Sequence, residues 1–339
     1  MFALLKKMIS QSFPPKPTFS VDQIPDLTGQ VIVVTGGNTG IGYETAKAVL
    51  AKNAKVYVAC RSSEKGKSAI VRLREETGKE AHFLRLDLSS FASIEQAAQE
   101  FLRSENQLHI LFNNAGVMEP PLELTTTEGY DMTVGTNVVG ESRESNTANL
   151  VIIHHSGKGT YYFTTLLLPA LLAVAQLGGS QKARIVNTSS SASEAPPDMK
   201  KIDYSIFKGP DDKERRKLGT RGIYYASKWM NIVFMKEFSR RYGGKGIVST
   251  AVNPGNIRTE LQRHWGGIQT WIVDRLLLYP TPYGALTQLY AGTSEHADEF
   301  NSQYFVPWAR KAEPNPTSED PAEGKRLWEW LEAQVKKHE

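Results

Sequence analysis

The sequence predicts an α/β fold, a doubly wound parallel sheet in one enlarged domain, and three observations carry that expectation. From Gln30 onward, short β-branched runs alternate with longer helical stretches. Several runs, Val31 to Thr35 first among them, are continuously apolar instead of alternating with polar residues, the pattern of strands covered on both faces. A glycine-rich turn stands where the first run hands over to the first helical stretch.

The elements follow in order. Val31 to Thr35 reads as a buried strand and Gly40 to Lys52 as a helix. A second strand is expected at Lys55 to Ala59, then a helix around Glu64 to Glu76. A third strand runs His82 to Leu86, a third helix Ser90 to Arg103, and a fourth strand Leu108 to Phe112. Beyond the middle come a strand at Arg184 to Thr188, a long helix at Tyr224 to Tyr242 and strands at Gly246 to Val252 and Gln303 to Val306. No repeat or low-complexity segment interrupts the pattern. The division expected is an N-terminal arm over 1–27, a core domain over 28–310 and a C-terminal helical tail over 311–339.

Composition narrows the classes. The 339 residues carry 40 Lys and Arg against 36 Asp and Glu, a net charge of +4 spread along the chain, so nucleic acid is a poor partner. Hydrophobic residues at 40% and charged residues at 22% are ordinary globular values, which exclude disorder and coiled coils. A single cysteine, Cys60, excludes a disulfide framework and fits a reducing, cytoplasmic compartment. Apolar runs such as Leu166 to Ala175 are too short to cross a bilayer. The first 20 residues lack the long apolar centre of a secretory signal. They read as a loosely held arm, with contact to a membrane surface through Met1 to Ile9 as the alternative. His154 and His155 are adjacent and find no third ligand, so no metal is expected. Asn187-Thr188-Ser189 matches a glycosylation acceptor but falls at a buried strand end.

The chemistry begins at Thr35-Gly36-Gly37-Asn38-Thr39-Gly40-Ile41-Gly42. Glycines at a strand-to-helix turn let a pyrophosphate approach the backbone, and the helix start offers N–H groups and the positive end of its dipole. The motif therefore predicts dinucleotide binding. The second strand runs into Ala59-Cys60-Arg61-Ser62-Ser63, with no carboxylate at its tip to take ribose hydroxyls. Arg61 offers a fork to the extra phosphate, so NADP(H) is expected over NAD.

The chain here resembles the short-chain dehydrogenase/reductase family. Thr-Gly-x-x-x-Gly-Ile-Gly at 35–42, Asn113-Asn114-Ala115-Gly116, and Tyr224 with Lys228 four residues on match its best-known motifs in order. Asp87, Asn137, Ser190 and Pro254-Gly255 match as well, and the resemblance covers roughly residues 28 to 310. Cys60-Arg61 with Asn38-Thr39, and the ending Tyr304 to Arg310, are most similar to the retinol-dehydrogenase-like branch and its fungal members. The resemblance implies a Rossmann fold and an oxidoreductase that interconverts an alcohol and a ketone or aldehyde on a lipophilic small molecule. It leaves open a homodimer and a place in a fungal secondary-metabolite pathway.

Moving a hydride to or from a carbonyl carbon requires a proton at the oxygen. A tyrosine, with an ordinary pKa near 10, needs a cation beside it to serve at neutral pH. Tyr224 and Lys228 are one helical turn apart on the same face. The resemblance gives Tyr224 the proton transfer and gives Lys228 the nicotinamide ribose as well; Tyr225, three residues from Lys228, is the decoy. It implies that Ser190 orients the substrate oxygen and that Asn137 supports a proton relay through Lys228. For the dinucleotide it implies Gly36, Asn38, Thr39, Gly40, Ile41, Gly42, Arg61, Asp87, Asn114 and Ala115, with Pro254, Gly255, Ile257 and Thr259 around the nicotinamide.

Two stretches depart from the family. Glu141 to Thr160 has no family counterpart and stands between Gly135 to Gly140 and Tyr161 to Pro169, which relatives join in one helix. Its codons permit a retained intron: Gly140-Glu141-Ser142 can contain a donor-like GTGAGT, Thr147-Ala148-Asn149 a branch-point-like GCTAAC and His155-Ser156 an acceptor-like CAG. A single transcript form keeping these codons would exclude it. If the segment impairs the site, the rival function is a non-catalytic dinucleotide-binding scaffold. The polar stretch Pro196 to Gly222 is expected as a loop near the substrate mouth, and Asn256 to Tyr290, with Trp265, Trp271, Leu276, Leu277 and Leu278, as an apolar lid or ordinary helix core.

Overall fold

The computed structural model describes residues 2–127, 129–138, 159–176, 182–209, 213–259 and 278–336. After α1 (Phe2–Ser12), strands and helices alternate as β1 (Val31–Thr35), α2 (Gly40–Ala51), β2 (Lys55–Cys60), α3 (Ser63–Thr77), β3 (His82–Arg85), α4 (Phe91–Ser104) and β4 (Ile110–Asn113). Then come α5 (Met132–Asn137), α6 (Gly159–Leu166), α7 (Leu168–Gln176), β5 (Ala183–Thr188), α8 (Lys213–Tyr242) and β6 (Ile247–Val252). The chain closes with α9 (Thr281–Thr293), β7 (Tyr304–Val306), β8 (Arg310–Ala312) and α10 (Pro321–Lys336).

The sheet order is β3-β2-β1-β4-β5-β6-β7-β8. Chain order reverses between β1 and β4, so the crevice at their carboxyl ends is the natural ligand site of a doubly wound sheet. Within β1, Val31 and Val33 enter one core with α4, α6, α8 and α10, while Ile32 and Val34 enter the opposite core with α2, α3 and α9. Both sides of each central strand are thus excluded from water, which is why the strands read as unbroken apolar runs.

The doubly wound, mostly parallel sheet is as expected, with β8 added antiparallel to β7 at the edge; a strand of three residues leaves no periodic trace in sequence. Three expectations need correction. The stretch 196–222 is not an open loop over its described part. It forms 3-10 turns at Met199–Lys201 and Tyr204–Phe207, which bury Met199, Tyr204, Ile206 and Phe207, and α8 already starts at Lys213, broken at Gly219 (φ 65°). The C-terminal part is more than a tail, since Leu327, Trp328 and Leu331 of α10 lie in the core against α8. The N-terminal part is not loosely held: α1 docks on the 3-10 turn Ser191–Glu194, its Lys7 Nζ 2.8 Å from the buried Glu194 carboxylate.

α5 ends at Asn137 and packs on α6, which begins at Gly159. Residues 141–158 of the departing segment, His154 and His155, and Trp265, Trp271, Leu276 and Leu277 lie outside the described residues, and the intron and lid readings with them. No described helix is long and apolar enough to cross a membrane.

Candidate active site

A cavity of about 570 Å³ opens at the carboxyl ends of β1, β4, β5 and β6. One end is the glycine turn. Gly36 and Gly40 have φ of 67° and 58°, a region that costs a side-chain-bearing residue roughly 1–2 kcal/mol. Thr39 stands at the N-cap of α2 without capping it through its side chain, so the helix start faces the cavity unsealed. A Cβ on Gly42 would collide with the Gly36 carbonyl oxygen and meet Asn114 Nδ2 at 2.6 Å. Gly42→Ala is therefore expected to displace the turn, costing about 1–3 kcal/mol in stability and weakening dinucleotide binding, as thermal melts and fluorescence titration would read.

Thr35 ties this turn to the neighbouring loop, a role the sequence reading did not assign. Its Oγ1 donates to the Phe112 carbonyl (3.2 Å) and accepts from the Asn114 and Ala115 N–H groups (3.0 Å each). Asn114 Nδ2 returns a bond to the Thr35 carbonyl at 2.9 Å. Hence Asn114 and Ala115 line the cavity beside Gly36, with Gly116 behind them.

The other end holds Tyr224, Lys228 and Ser190. Tyr224 and Lys228 are buried on one face of α8, and Lys228 Nζ lies 5.8 Å from the Tyr224 ring centre. The Ser190 side chain lines the same end of the cavity, its Oγ accepting from the Ala192 N–H at 3.2 Å. Tyr225 also lines the cavity, but only Tyr224 is buried; Tyr225 is half-buried. Lys228 Nζ donates to the Thr188 carbonyl at 3.1 Å, and Asn231 Nδ2 to the same oxygen at 3.2 Å. Burial dominates the protonation of both groups: it raises Tyr224 to about 12 against the downward pull of the Ser190 hydroxyl, and lowers Lys228 to about 8.

Asn137 ends α5 and clamps residue 117. Its Oδ1 accepts from the Val117 N–H (2.8 Å), while its Nδ2 donates to the Val117 carbonyl (3.0 Å) and to Ser227 Oγ (3.1 Å). The loop after β4 is thereby fastened to the helix carrying Tyr224. A Cβ on Gly116 would approach Asn137 Oδ1 to 3.0 Å and Lys228 Nζ to 3.4 Å, so only glycine fits there without a shift.

Pro254, Gly255, Ile257 and Thr259 complete the wall between the two ends. Gly255, with φ of 90°, donates its N–H to Asn253 Oδ1 at 2.9 Å, and Ile257 bridges to Tyr279. Arg61 is exposed just past β2, outside the cavity wall. Asp87 lies there too, its Oδ1 accepting from the Ser89 N–H (3.0 Å) and hydroxyl (2.7 Å). Sequence reading did not single out Met8, Val117, Met118, Glu119, Ala192 or Arg221 of the wall. Glu119 has φ of 49° and an Oε1 3.8 Å from Arg221 Nε. No motif signals them, because they reach the cavity through the fold. Asn187, the discounted glycosylation match, is buried, its Nδ2 donating to the Thr250 carbonyl at 3.0 Å.

The arrangement joins an anion-receptive glycine turn to a buried phenol, hydroxyl and amine, a set able to hold a dinucleotide and pass a proton at one substrate oxygen. The family model for short chain dehydrogenases matches residues 30–205. The chain belongs to the short-chain dehydrogenase/reductase family. It is an oxidoreductase family that binds nicotinamide dinucleotides. A short-chain dehydrogenase/reductase of Armillaria gallica is 50% identical and covers 97% of both chains. One from Phomopsis amygdali is 34% identical over 99% of this chain and 98% of that protein. A Mycobacterium paratuberculosis structure shares the fold with a TM-score of 0.68 at 22% identity, covering 94% of this chain and 97% of its own. A Shigella flexneri short chain dehydrogenase complexed with NADP has a TM-score of 0.58 at 22% identity, covering 83% and 98%.

Proposed function

We propose that this chain is an NADP(H)-dependent oxidoreductase that interconverts an alcohol and a ketone or aldehyde on a lipophilic small molecule. The observation that carries the reading is that Tyr224, Ser190 and Lys228 line one cavity with the glycine turn, with Lys228 Nζ 5.8 Å from the Tyr224 ring centre. Fit to the dinucleotide is supported by positive φ at Gly36 and Gly40, and by Gly42 lying where a Cβ has no room. When bound, the dinucleotide supplies or accepts the hydride. Gly36, Asn38, Thr39, Gly40, Ile41 and Gly42 would hold its pyrophosphate side, Asn114 and Ala115 its middle, and Pro254, Gly255, Ile257 and Thr259 its nicotinamide side. Asp87 would serve the adenine side.

Ser190 donates to the substrate oxygen and fixes it next to the phenol. Tyr224 gives that oxygen a proton in reduction and takes it in oxidation. The Lys228 ammonium holds the ribose hydroxyls and stabilises negative charge on the phenol oxygen. Asn137 positions this pair through Val117 and Ser227 and supports the proton relay. A lipophilic substrate is favoured by Met8, Val117, Met118, Ala192 and Leu278 on the wall. The exposed Leu5 and Ile9 on α1, with Phe13 just past its end, support contact with a membrane surface, and the fungal sources of the relatives support a place in fungal secondary metabolism.

The test mixes the purified chain with NADPH and a panel of aldehydes and ketones and follows the nicotinamide absorbance. Oxidation of NADPH supports the reading; binding without turnover on any substrate favours the scaffold. Arg61→Asp is expected to weaken NADPH binding by about 10–100-fold relative to NADH, the worth of a charge-assisted phosphate contact. An unchanged ratio of the two dissociation constants would remove Arg61 from its role.

A further inference from the structure

The N-terminal helix is bound at the reacting end of the cavity by buried polar groups. Lys7 Nζ and Gln11 Nε2 reach the two Glu194 carboxylate oxygens at 2.8 and 3.0 Å, and that side chain is only 1% exposed. Gln11, itself 3% exposed, accepts at its Oε1 from Asn253 Nδ2 at 2.8 Å. Arg310 Nη2 donates to the Ser10 carbonyl at 2.8 Å, and Asn315 Nδ2 to the Glu194 carbonyl at 2.9 Å. These contacts fasten α1 to the turn that begins after Ser190 and to the residue preceding Pro254, the two loops that flank the reacting groups.

A carboxylate so far from water needs its cation and its donors. Lys7 and Gln11 supply these from α1, so the helix is latched to the turn beside the site and is not an appendage. Met8 lies between Lys7 and Gln11 and forms part of the cavity wall with Ser190, Ala192, Tyr225 and Leu278. Its unbranched thioether adapts to irregular apolar shapes better than a branched residue does.

We propose that α1 is a fixed wall of the substrate pocket, latched on Glu194, and that Met8 determines which apolar substrate chains fit. Glu194 and Lys7 are positioning residues that act through α1. The proposal rests on the oxidoreductase reading above. It differs from that reading in assigning substrate selection to a segment outside the family-matched residues.

The experiment measures KM and kcat over a series of aldehydes of increasing chain length, with NADPH, for the full chain, for Met8→Trp, for Glu194→Gln and for a chain lacking residues 1–13. Met8→Trp is expected to raise KM for the long aldehydes relative to the shortest by about tenfold, the factor that two displaced methylenes of apolar contact are worth. The deletion and Glu194→Gln should flatten the dependence of KM on chain length while the dissociation constant for NADPH stays at the wild-type value. A merely structural role would lower kcat and NADPH binding together across the series. If Met8→Trp keeps the wild-type length dependence while it still folds and binds NADPH, the proposal is overturned. If the wild type oxidises NADPH with none of the aldehydes or ketones, the oxidoreductase reading fails instead.

Discussion

Tyr224→Phe is expected to lower kcat for carbonyl reduction by about 10²–10⁴-fold, the range a positioned general acid contributes. The change removes one oxygen from a buried ring and leaves its apolar contacts intact. The Ser190 hydroxyl keeps the Ala192 N–H as a partner at 3.2 Å, so the turn after β5 retains its local bond. NADPH binding and the thermal midpoint should therefore stay near wild type while turnover collapses. Tyr225→Phe is the control, because Tyr225 also lines the cavity but is only half-buried, whereas Tyr224 is buried beside Lys228. Turnover within a few-fold of wild type in Tyr224→Phe would end the assignment.

Replacing Lys228 with Met should lower kcat/KM for NADPH by about 10²-fold or more, since charged hydrogen bonds to two ribose hydroxyls are worth roughly 1.5–3 kcal/mol each. Its pH dependence is the sharper test. Burial brings Lys228 down to about 8, so the free protein holds the ammonium below that pH and loses it above. Wild-type kcat/KM for NADPH should be flat below about 8 and fall roughly tenfold per pH unit beyond it. Lys228→Met should show no such break. Stability moves the opposite way. Between about 8 and the ordinary 10.5 the unfolded chain binds a proton at this lysine that the folded chain does not, so this group's contribution to stability rises with pH across that window. The variant should accordingly gain most over wild type in thermal midpoint at pH 7, and the two should converge as the pH rises toward 10.5. A constant difference would mean that Lys228 titrates as an exposed lysine.

Much of this molecule is legible in one dimension. The unbroken apolar strands required a sheet covered twice, and Val31 and Val33 do face one core while Ile32 and Val34 face the other. The spacing of Tyr224 and Lys228 put them on one face of α8, because helical geometry is local. The glycine turn was readable for the same reason. The edge strand β8, the 3-10 turns after Asp198 and the docking of α10 were not, since each is too short or too dependent on a distant partner to impose a period.

Sequence by itself determined the alternation of strands and helices, the turn suited to phosphate, and the residue types able to move a proton. These are set by interactions within a few residues along the backbone. Only the tertiary structure decided that Tyr224 and Lys228 share a cavity with Ser190 from the end of β5, and that Asn137 locks Val117 to Ser227. It alone brought Gln11 within reach of Asn253, 242 positions away. Burial is the physical reason: a polar group withdrawn from water must find its partner wherever the packed chain puts one, and nothing local in the sequence names that partner.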